Sequence, residues 1–342
     1  MSQKNSSAVI RIPKILQKKL NNKKISKIYR KFEKNLNLNN NFAVAVSGGP
    51  DSLALAILAK IYAVKKKLIS KFFIVDHKIR KESSQEAKLI RRKLSSVGIN
   101  SQILIWKGKK PTKNLQSLAR KKRYELLIAN CNKSKIENIL LGHHEGDVIE
   151  NFFIRILRGS GLKGLISFDK EARVNNINLF RPLLDQKKDD LIFIAKSVFN
   201  FYVKDPSNEN DKFQRIRIRK LLNELENNGL EKKKFIKTIQ NLKYSNEAID
   251  FYVKKNLEKN ASFLSKKKQL VLNELFFKQP YEIIFRGFSE SIKFISNNYY
   301  PARGKKLDRI IKDIAKKYSF KSTLGGCIIK KVNQTVIITK EN

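Results

Sequence analysis

From residue 42 onward, short apolar runs alternate with stretches of helical period. FAVAVS (42–47) is followed by LALAILAKIYAV (53–64), and KFFIVDH (71–77) by SSQEAKLIRRKLSSVG (83–98). SQILIW (101–106) precedes NLQSLARKKRYELLIANC (114–131), in which Leu115, Leu118, Ala119 and Leu126 share one face. ENILLG (137–142) precedes DVIENFFIRILRG (147–159), where Ile149, Phe152, Phe153, Ile156 and Leu157 recur at i, i+3, i+4, i+7 and i+8. NLFRPLL (178–184) is a fifth candidate strand and KDDLIFIAKSVF (188–199) its helix, while Ser83 and Glu86 predict a capping box. Strands that alternate with helices at this spacing need crossover connections, which predicts an α/β fold with a doubly wound parallel sheet over about 42–200.

After NGL (228–230) the pattern changes. Lys-rich helical stretches, FIKTIQNLKYSNEAIDFYVKKNL (235–257), EIIFRGFSESIKFI (282–295) and KKLDRIIKDIAKKY (305–318), give way to two strand-like runs, GGCIIKKV (325–332) and QTVIITK (334–340). The expected organisation is a basic lead-in over 1–40 with one short helix, a nucleotide-type domain over 41–225, and a smaller helical, α+β region over 226–342. A chain of 342 residues is long enough for one large domain and a smaller one.

Charge narrows the class of partner. Lys and Arg number 73 against 30 Asp and Glu, a formal charge of +43, far beyond what solubility asks for. A polyanion, most simply nucleic acid, fits, because each neutralised phosphate releases counterions; a lysine-rich proteome would account for part of the excess. The two cysteines, Cys131 and Cys327, form neither a CxxC nor a Cys/His cluster, which excludes a disulfide framework or an iron–sulfur site built on paired cysteines. No stretch reaches about 20 apolar residues and the N-terminus lacks a signal-peptide core, so a soluble, cytoplasmic protein with no membrane partner is expected. Oligomeric state is not legible in the sequence.

In an open parallel sheet, ligands bind beyond the carboxyl ends of the strands. The first strand ends in SGGPDS, the second in Asp76 and His77, and the fourth in Gly142, His143 and His144, with Asp147 and Glu150 just inside the next helix; all three histidines of the chain lie at such ends. Gly48 and Gly49 allow a tight turn whose amides, with the N-terminus of the following helix, make a phosphate cradle. The loop has neither the GK[ST] of a Walker A motif nor GxGxxG, and its charged residue is Asp51, a carboxylate that makes sense beside a polyphosphate if it orients Mg²⁺. The competing reading is an ordinary strand-to-helix turn capped by Asp and Ser. Asp147 and Glu150 stand one helical turn apart, suited to Mg²⁺ or an amino group, or to the helix dipole. Arg215, Arg217 and Arg219 would share a face on a strand; on a helix only Arg215 and Arg219 would align. With three histidines and no cysteine cluster, zinc is not expected.

SGGPDS (47–52) resembles the SGGxDS signature of the PP-loop ATP pyrophosphatases, which cleave ATP between the α- and β-phosphates. Further blocks are similar to those of the tRNA(Ile)-lysidine synthases within that superfamily: IVDHKIR (74–80), LQSLARKKRYELL (115–127), LGHHEGDVIENFFIRILRGSGLKGL (141–165), FRPLL (180–184), DPSNENDKFQRIRIR (205–219) and TLGGC (323–327). Lys78 and Ile79, Asn151 and Ile216 depart from the usual residues of these blocks. The resemblance implies a ligase that uses ATP and Mg²⁺ to adenylate the wobble cytidine of a CAU-anticodon tRNA(Ile) and then joins it to L-lysine. It implies that Ser47, Gly48, Gly49, Pro50, Asp51 and Ser52 hold the ATP phosphates, with Asp51 and Asp147 near Mg²⁺ and Asp76 and His77 toward the adenosine. Asp51, Asp147, Glu150, His143, His144 and Arg215 would then serve the chemistry, and Arg120, Arg123, Arg158, Arg181, Arg217 and Arg219 the tRNA. A PP-loop tRNA thiolase and a non-catalytic basic RNA-binding protein are the rival readings.

Overall fold

The structure, a computed structural model, describes residues 11–108, 115–203, 213–297 and 304–341. The chain forms two compact units, residues 1–235 and 236–342. Two helices open the first, α1 (Lys14–Leu20) and α2 (Lys23–Asn35), where the sequence predicts one short helix in a basic lead-in. Ile25, Ile28, Tyr29 and Phe32 fall at i, i+3, i+4 and i+7 of α2 and are buried, with Leu16, in the main core cluster. The lysines around them masked that stripe. Asn22 caps α2 by accepting from the amides of Lys24 and Ile25.

The alternating region follows as β1 (Phe42–Val46), α3 (Pro50–Lys65), β2 (Ser70–Asp76), α4 (Ser83–Ser95), β3 (Ser101–Ile105), α5 (Leu115–Lys133), β4 (Asn138–Leu140), α6 (Glu145–Ile156), the single turn α7 (Leu162–Leu165), β5 (Glu171–Val174), β6 (Ile177–Phe180), α8 (Lys188–Phe199) and α9 (Gln214–Asn227), after which α10 (Lys232–Asn260) begins in the first unit and continues in the second. The sheet order is β3-β2-β1-β4-β6-β5. The first five pair in parallel, as expected; β5 is an added antiparallel edge, joined to β6 across a two-residue turn at Asn175 and Asn176, with Val174 opposite Ile177. Asn175 takes a φ of 53°, which the two-residue hairpin requires and which asparagine tolerates. Helix α3 is buried nearly all round, from Leu53 to Ala59, because it passes between the sheet and α8.

The predicted capping box of α4 does not form. Glu82 is its N-cap, with no side-chain cap bond, and the hydroxyls of Ser83 and Ser84 donate instead to Asp76. No helix among the described residues is long and apolar enough to cross a membrane.

In the second unit, β7 (Ala261–Leu264), β8 (Gln269–Leu272), α11 (Tyr281–Ser296), α12 (Gly304–Lys316), β9 (Phe320–Leu324), β10 (Cys327–Val332) and β11 (Thr335–Lys340) build an antiparallel sheet of order β7-β8-β11-β10-β9. Its inner face, Leu272, Ile329, Val336 and Ile338, closes on Ile284, Phe288, Ile292, Ile310 and Ile314 of the two helices. Five strands stand where the sequence predicts two; β7 and β8 are four residues each, too short to show a period.

Candidate active site

The strand order reverses direction at β1: its neighbours are β2 on one side and β4 on the other. The loops after β1 and β4 therefore meet at the switch point, the place where open α/β sheets take their ligands. Those two loops are SGGPDS and GHHEGD. They touch through Gly142, where a Cβ would stand 3.1 Å from backbone atoms of Asp51 and Ser52. Gly48 turns the first loop with a φ of +87°, and a Cβ there would meet Ile90 Cδ1 at 2.3 Å.

Within the loop, the amides of Ser47 and Gly48 both donate to Ser52 Oγ at 3.1 Å, and that hydroxyl donates to the Gly49 carbonyl at 3.0 Å. Gly49 caps α3 and Pro50 is its first residue, so the first-turn amides beyond the proline lack intrahelical partners. The returning chain closes the loop from behind, Val203 N donating to Gly48 O at 2.9 Å. Asp51 projects from this turn. Its Oδ1 is buried without a hydrogen-bond partner, and its Oδ2 lies 3.9 Å from His144 Nε2 and 3.8 Å from Lys188 Nζ. Burial pushes its carboxyl above the usual range, against the pull of His144 and Lys188.

The second loop is ordered by reciprocal bonds. His144 caps α6: its Nδ1 accepts from Gly146 N at 2.9 Å, while its own backbone N–H donates to Asp147 Oδ2 at 2.9 Å. An accepting Nδ1 leaves the ring proton on Nε2, the atom nearest Asp51. Asp147 Oδ1 faces Arg215 Nη2 at 3.4 Å; Glu150 takes Arg215 Nε at 2.8 Å on one oxygen and Arg219 Nε on the other. Burial would raise Asp147, but His144, His143 and Arg215 hold it below the usual carboxylate range. Burial would likewise lower Arg219, and its bond to Glu150 raises it instead.

Arg215 and Arg219 meet these acids because 214–227 is a helix, so the alternating RIRIR does not run as a strand. Arg217 falls on the opposite side, exposed, and Ile216 and Ile218 are buried. The structure thus pairs Arg219, expected at the tRNA, with Glu150. Residues 205–212 of the same sequence block lie outside the described residues.

Asp76 is also redirected. It is 3 % exposed, and both its oxygens are engaged, by Lys78 N at 2.9 Å, Ser83 Oγ at 2.9 Å and Ser84 Oγ at 2.6 Å. These bonds outweigh burial and hold it below its ordinary pKa, so it fastens the 77–84 turn where the sequence assigns it to adenosine. His77 lies edge-on to Trp106 and within 3.4 Å of Arg123 Nε; burial, then Arg123, lower it to about 4. His143 is lowered to about 3, chiefly by burial, so it is a neutral ring at ordinary pH. It packs edge-on to Phe168, and Arg181 lies over the same ring at 4.9 Å, donating to Asp169 O at 2.7 Å. His143 Nδ1 and Arg181 Nε are buried with no hydrogen-bond partner. Arg120 stacks on Tyr124, and Arg158, past the end of α6, reaches Gln214 at 3.5 Å.

Sequence reasoning missed Lys188 and Phe168. Lys188 opens the helix that follows β6 and so belongs to the same carboxyl edge; that position was the available signal. The described residues contain no group of three or more His, Cys, Asp or Glu placed to hold a metal. The unpartnered Oδ1 of Asp51 suits a Mg²⁺ that brings phosphate and water as its remaining ligands. Asp147, the other expected ligand, already has both oxygens engaged.

A PP-loop domain family matches residues 18–226. The chain is 34% identical over 322 residues to the tRNA(Ile)-lysidine synthase of Orientia tsutsugamushi (strain Boryong), covering 91% of this chain and 71% of that protein. It is 33% identical over 309 residues to the tRNA(Ile)-lysidine synthase of Wolbachia pipientis wMel, with 89% and 71% covered. It is 34% identical over 333 residues to that of Rickettsia bellii (strain OSU 85-389), with 92% and 74% covered. Among solved structures, the U34-tRNA thiolase NcsA from Methanococcus maripaludis superposes with a TM-score of 0.55 at 20% identity, over 66% of this chain and 79% of that one, a likeness of fold alone. A switch-point crevice built from SGGPDS and GHHEGD, with relatives of this closeness along nearly the whole sequence, means that the chain belongs to the tRNA(Ile)-lysidine synthase family of PP-loop proteins.

Proposed function

We propose that this chain uses ATP to join free L-lysine to carbon 2 of the wobble cytidine in tRNA(Ile) with the anticodon CAU, releasing AMP and pyrophosphate and turning an AUG-reading anticodon into an AUA-reading one. The observation that carries this reading is the meeting of two loops: a phosphate loop with an acid in place of a lysine stands against a second loop whose acids, continued into α6, face the arginines of α9. In the first half-reaction the O2 oxygen of cytidine attacks the α-phosphorus, and the bond to the β-phosphate oxygen breaks. In the second, an amine of lysine attacks carbon 2, AMP leaves, and the amine loses a proton.

The loop amides and the N-terminus of α3 suit the phosphates, with Ser52 positioned to exchange its internal bonds for phosphate oxygens. Asp51 Oδ1 would hold Mg²⁺, which when bound neutralises charge on the phosphates. Asp147 and Glu150, which face Arg215, offer carboxylates for the ammonium of the incoming lysine. The neutral ring of His143 suits hydrogen bonding to a base better than proton uptake. Arg120, Arg123, Arg158 and Arg217 and the Lys-rich residues 226–342 are the proposed tRNA contacts, gripping backbone and shape while the anticodon is splayed for reading, whereas Arg181 is buried against Phe168 and bonded to Asp169 O and so is withdrawn from that set. Both cysteines are buried, and burial raises Cys131 to about 12, which argues against sulfur transfer.

Incubation with ATP, Mg²⁺, lysine and unmodified tRNA(Ile) should yield AMP and pyrophosphate, and lysidine on nucleoside mass spectrometry. ADP with phosphate, turnover indifferent to tRNA, or sulfur in the nucleoside would each overturn the reading.

A further inference from the structure

The phosphate loop carries Asp51 and no cation, so a bound triphosphate would meet a carboxylate where its own negative charge is densest. The structure supplies a cation from elsewhere. Lys188 is the first residue of α8, 137 positions after Asp51 in sequence, with Nζ 3.8 Å from Asp51 Oδ2. That separation is an ion pair but too long for a hydrogen bond, so the ammonium is not locked in place. Its backbone is locked. Leu191, Ile194 and Ala195 of α8 are buried in the core that also holds α3, and α8 packs against α3, so the root of Lys188 is fixed relative to the loop. Its side chain is 47% exposed and can move without disturbing that packing. The neighbouring cations, Arg215 and Arg219, are differently placed: each gives an Nε–H to Glu150.

We propose that Lys188 is a catalytic residue of the adenylation step, neutralising Asp51 in the free protein and moving to the β- and γ-phosphates when ATP binds. This rests on the reading of the site given above. As the bond between cytidine O2 and the α-phosphorus forms, the bond from that phosphorus to the β-phosphate oxygen breaks, and its electron pair becomes negative charge on the departing pyrophosphate. The Lys188 ammonium faces that charge and donates to it; it neither gains nor loses a proton. A positioned donor of this kind acts where charge develops, and its loss costs about a hundredfold in rate.

Nucleotide affinities measured on the full chain with Mg²⁺ test the contact without tRNA or lysine. Lys188→Ala should weaken ATP binding about tenfold or more, leave AMP binding unchanged because AMP lacks the β- and γ-phosphates, and slow tRNA-dependent pyrophosphate release about a hundredfold. Lys188→Arg, which keeps the charge, should recover most of both, and the thermal midpoints of the two variants should match the parent. Equal losses of ATP and AMP affinity, or unchanged ATP affinity and pyrophosphate release in Lys188→Ala, would reduce Lys188 to a counter-ion for Asp51. If the parent protein binds ATP over AMP through Lys188 yet forms no lysidine, the reaction assignment fails while the phosphate contact stands.

Discussion

Glu150 carries two guanidinium groups on one carboxylate. Its side chain is 5% exposed, whereas those of Arg215 and Arg219 are 36% and 34% exposed, so the acid has lost its water and depends on the arginines, while they keep part of theirs. The asymmetry sets the outcome of Glu150→Gln. The amide keeps the shape but offers one acceptor where the carboxylate offers two, leaving an arginine facing an N–H. The expected loss is about 1 to 3 kcal/mol, seen as a lower urea midpoint at unchanged m-value; an unmoved midpoint would mean that solvent already satisfies both guanidinium groups. At this scale the sequence was partly legible. Asp147 and Glu150 could be placed on one helix face from their spacing, and the helical option for Arg215 and Arg219 was available too. That Asp76 would be consumed by Ser83 and Ser84 was not, because a serine three residues before a glutamate reads as a cap until a buried carboxylate competes for its hydroxyl.

The elements around the crevice owe their precision to close backbone approach. Strand β4 is three residues long and leads through Leu141 to Gly142, which lies against the start of α3. In Gly142→Ala the added methyl meets backbone rather than a flexible side chain, so the phosphate loop itself must give by tenths of an ångström. The variant should raise the KM for ATP severalfold while tRNA affinity stays within a factor of about two, as read by steady-state kinetics beside filter binding, since misplacement of this size is costly to positioning. Loss of tRNA affinity in the same proportion would show a global rather than a local change. Helix α9 shows why period alone misleads: RIRIR alternates as a strand does, but it continues into KLLNELEN, and Leu222 joins Ile216 and Ile218 in burial. Edge strand β5 was missed for the opposite reason, its four residues carrying no period at all, although the paired asparagines at 175 and 176 marked the turn.

For the whole molecule the dominant quantity is the formal charge of +43. If tRNA is held through six or more phosphates, its affinity should fall about a thousandfold between 50 and 200 mM salt; a flat response would remove the electrostatic account of binding. Charge of this kind is a property of composition and survives any arrangement of the chain. So is the phosphate turn, because strand, paired glycines, proline and helix are contiguous and their conformational demands are local. The alternation of strands and helices likewise determined a parallel sheet, and a parallel sheet determined which ends of the strands could bear chemistry. The pairings inside the crevice were decided only by tertiary structure. Asp51 with Lys188, and Glu150 with Arg215 and Arg219, join residues far apart in sequence, and each contact depends on how α8 and α9 pack against helices whose apolar faces specify burial but not which charged tips will meet. Local sequence writes conformations; the long-range neutralisation of a buried acid is written only when the core has brought its partner within reach.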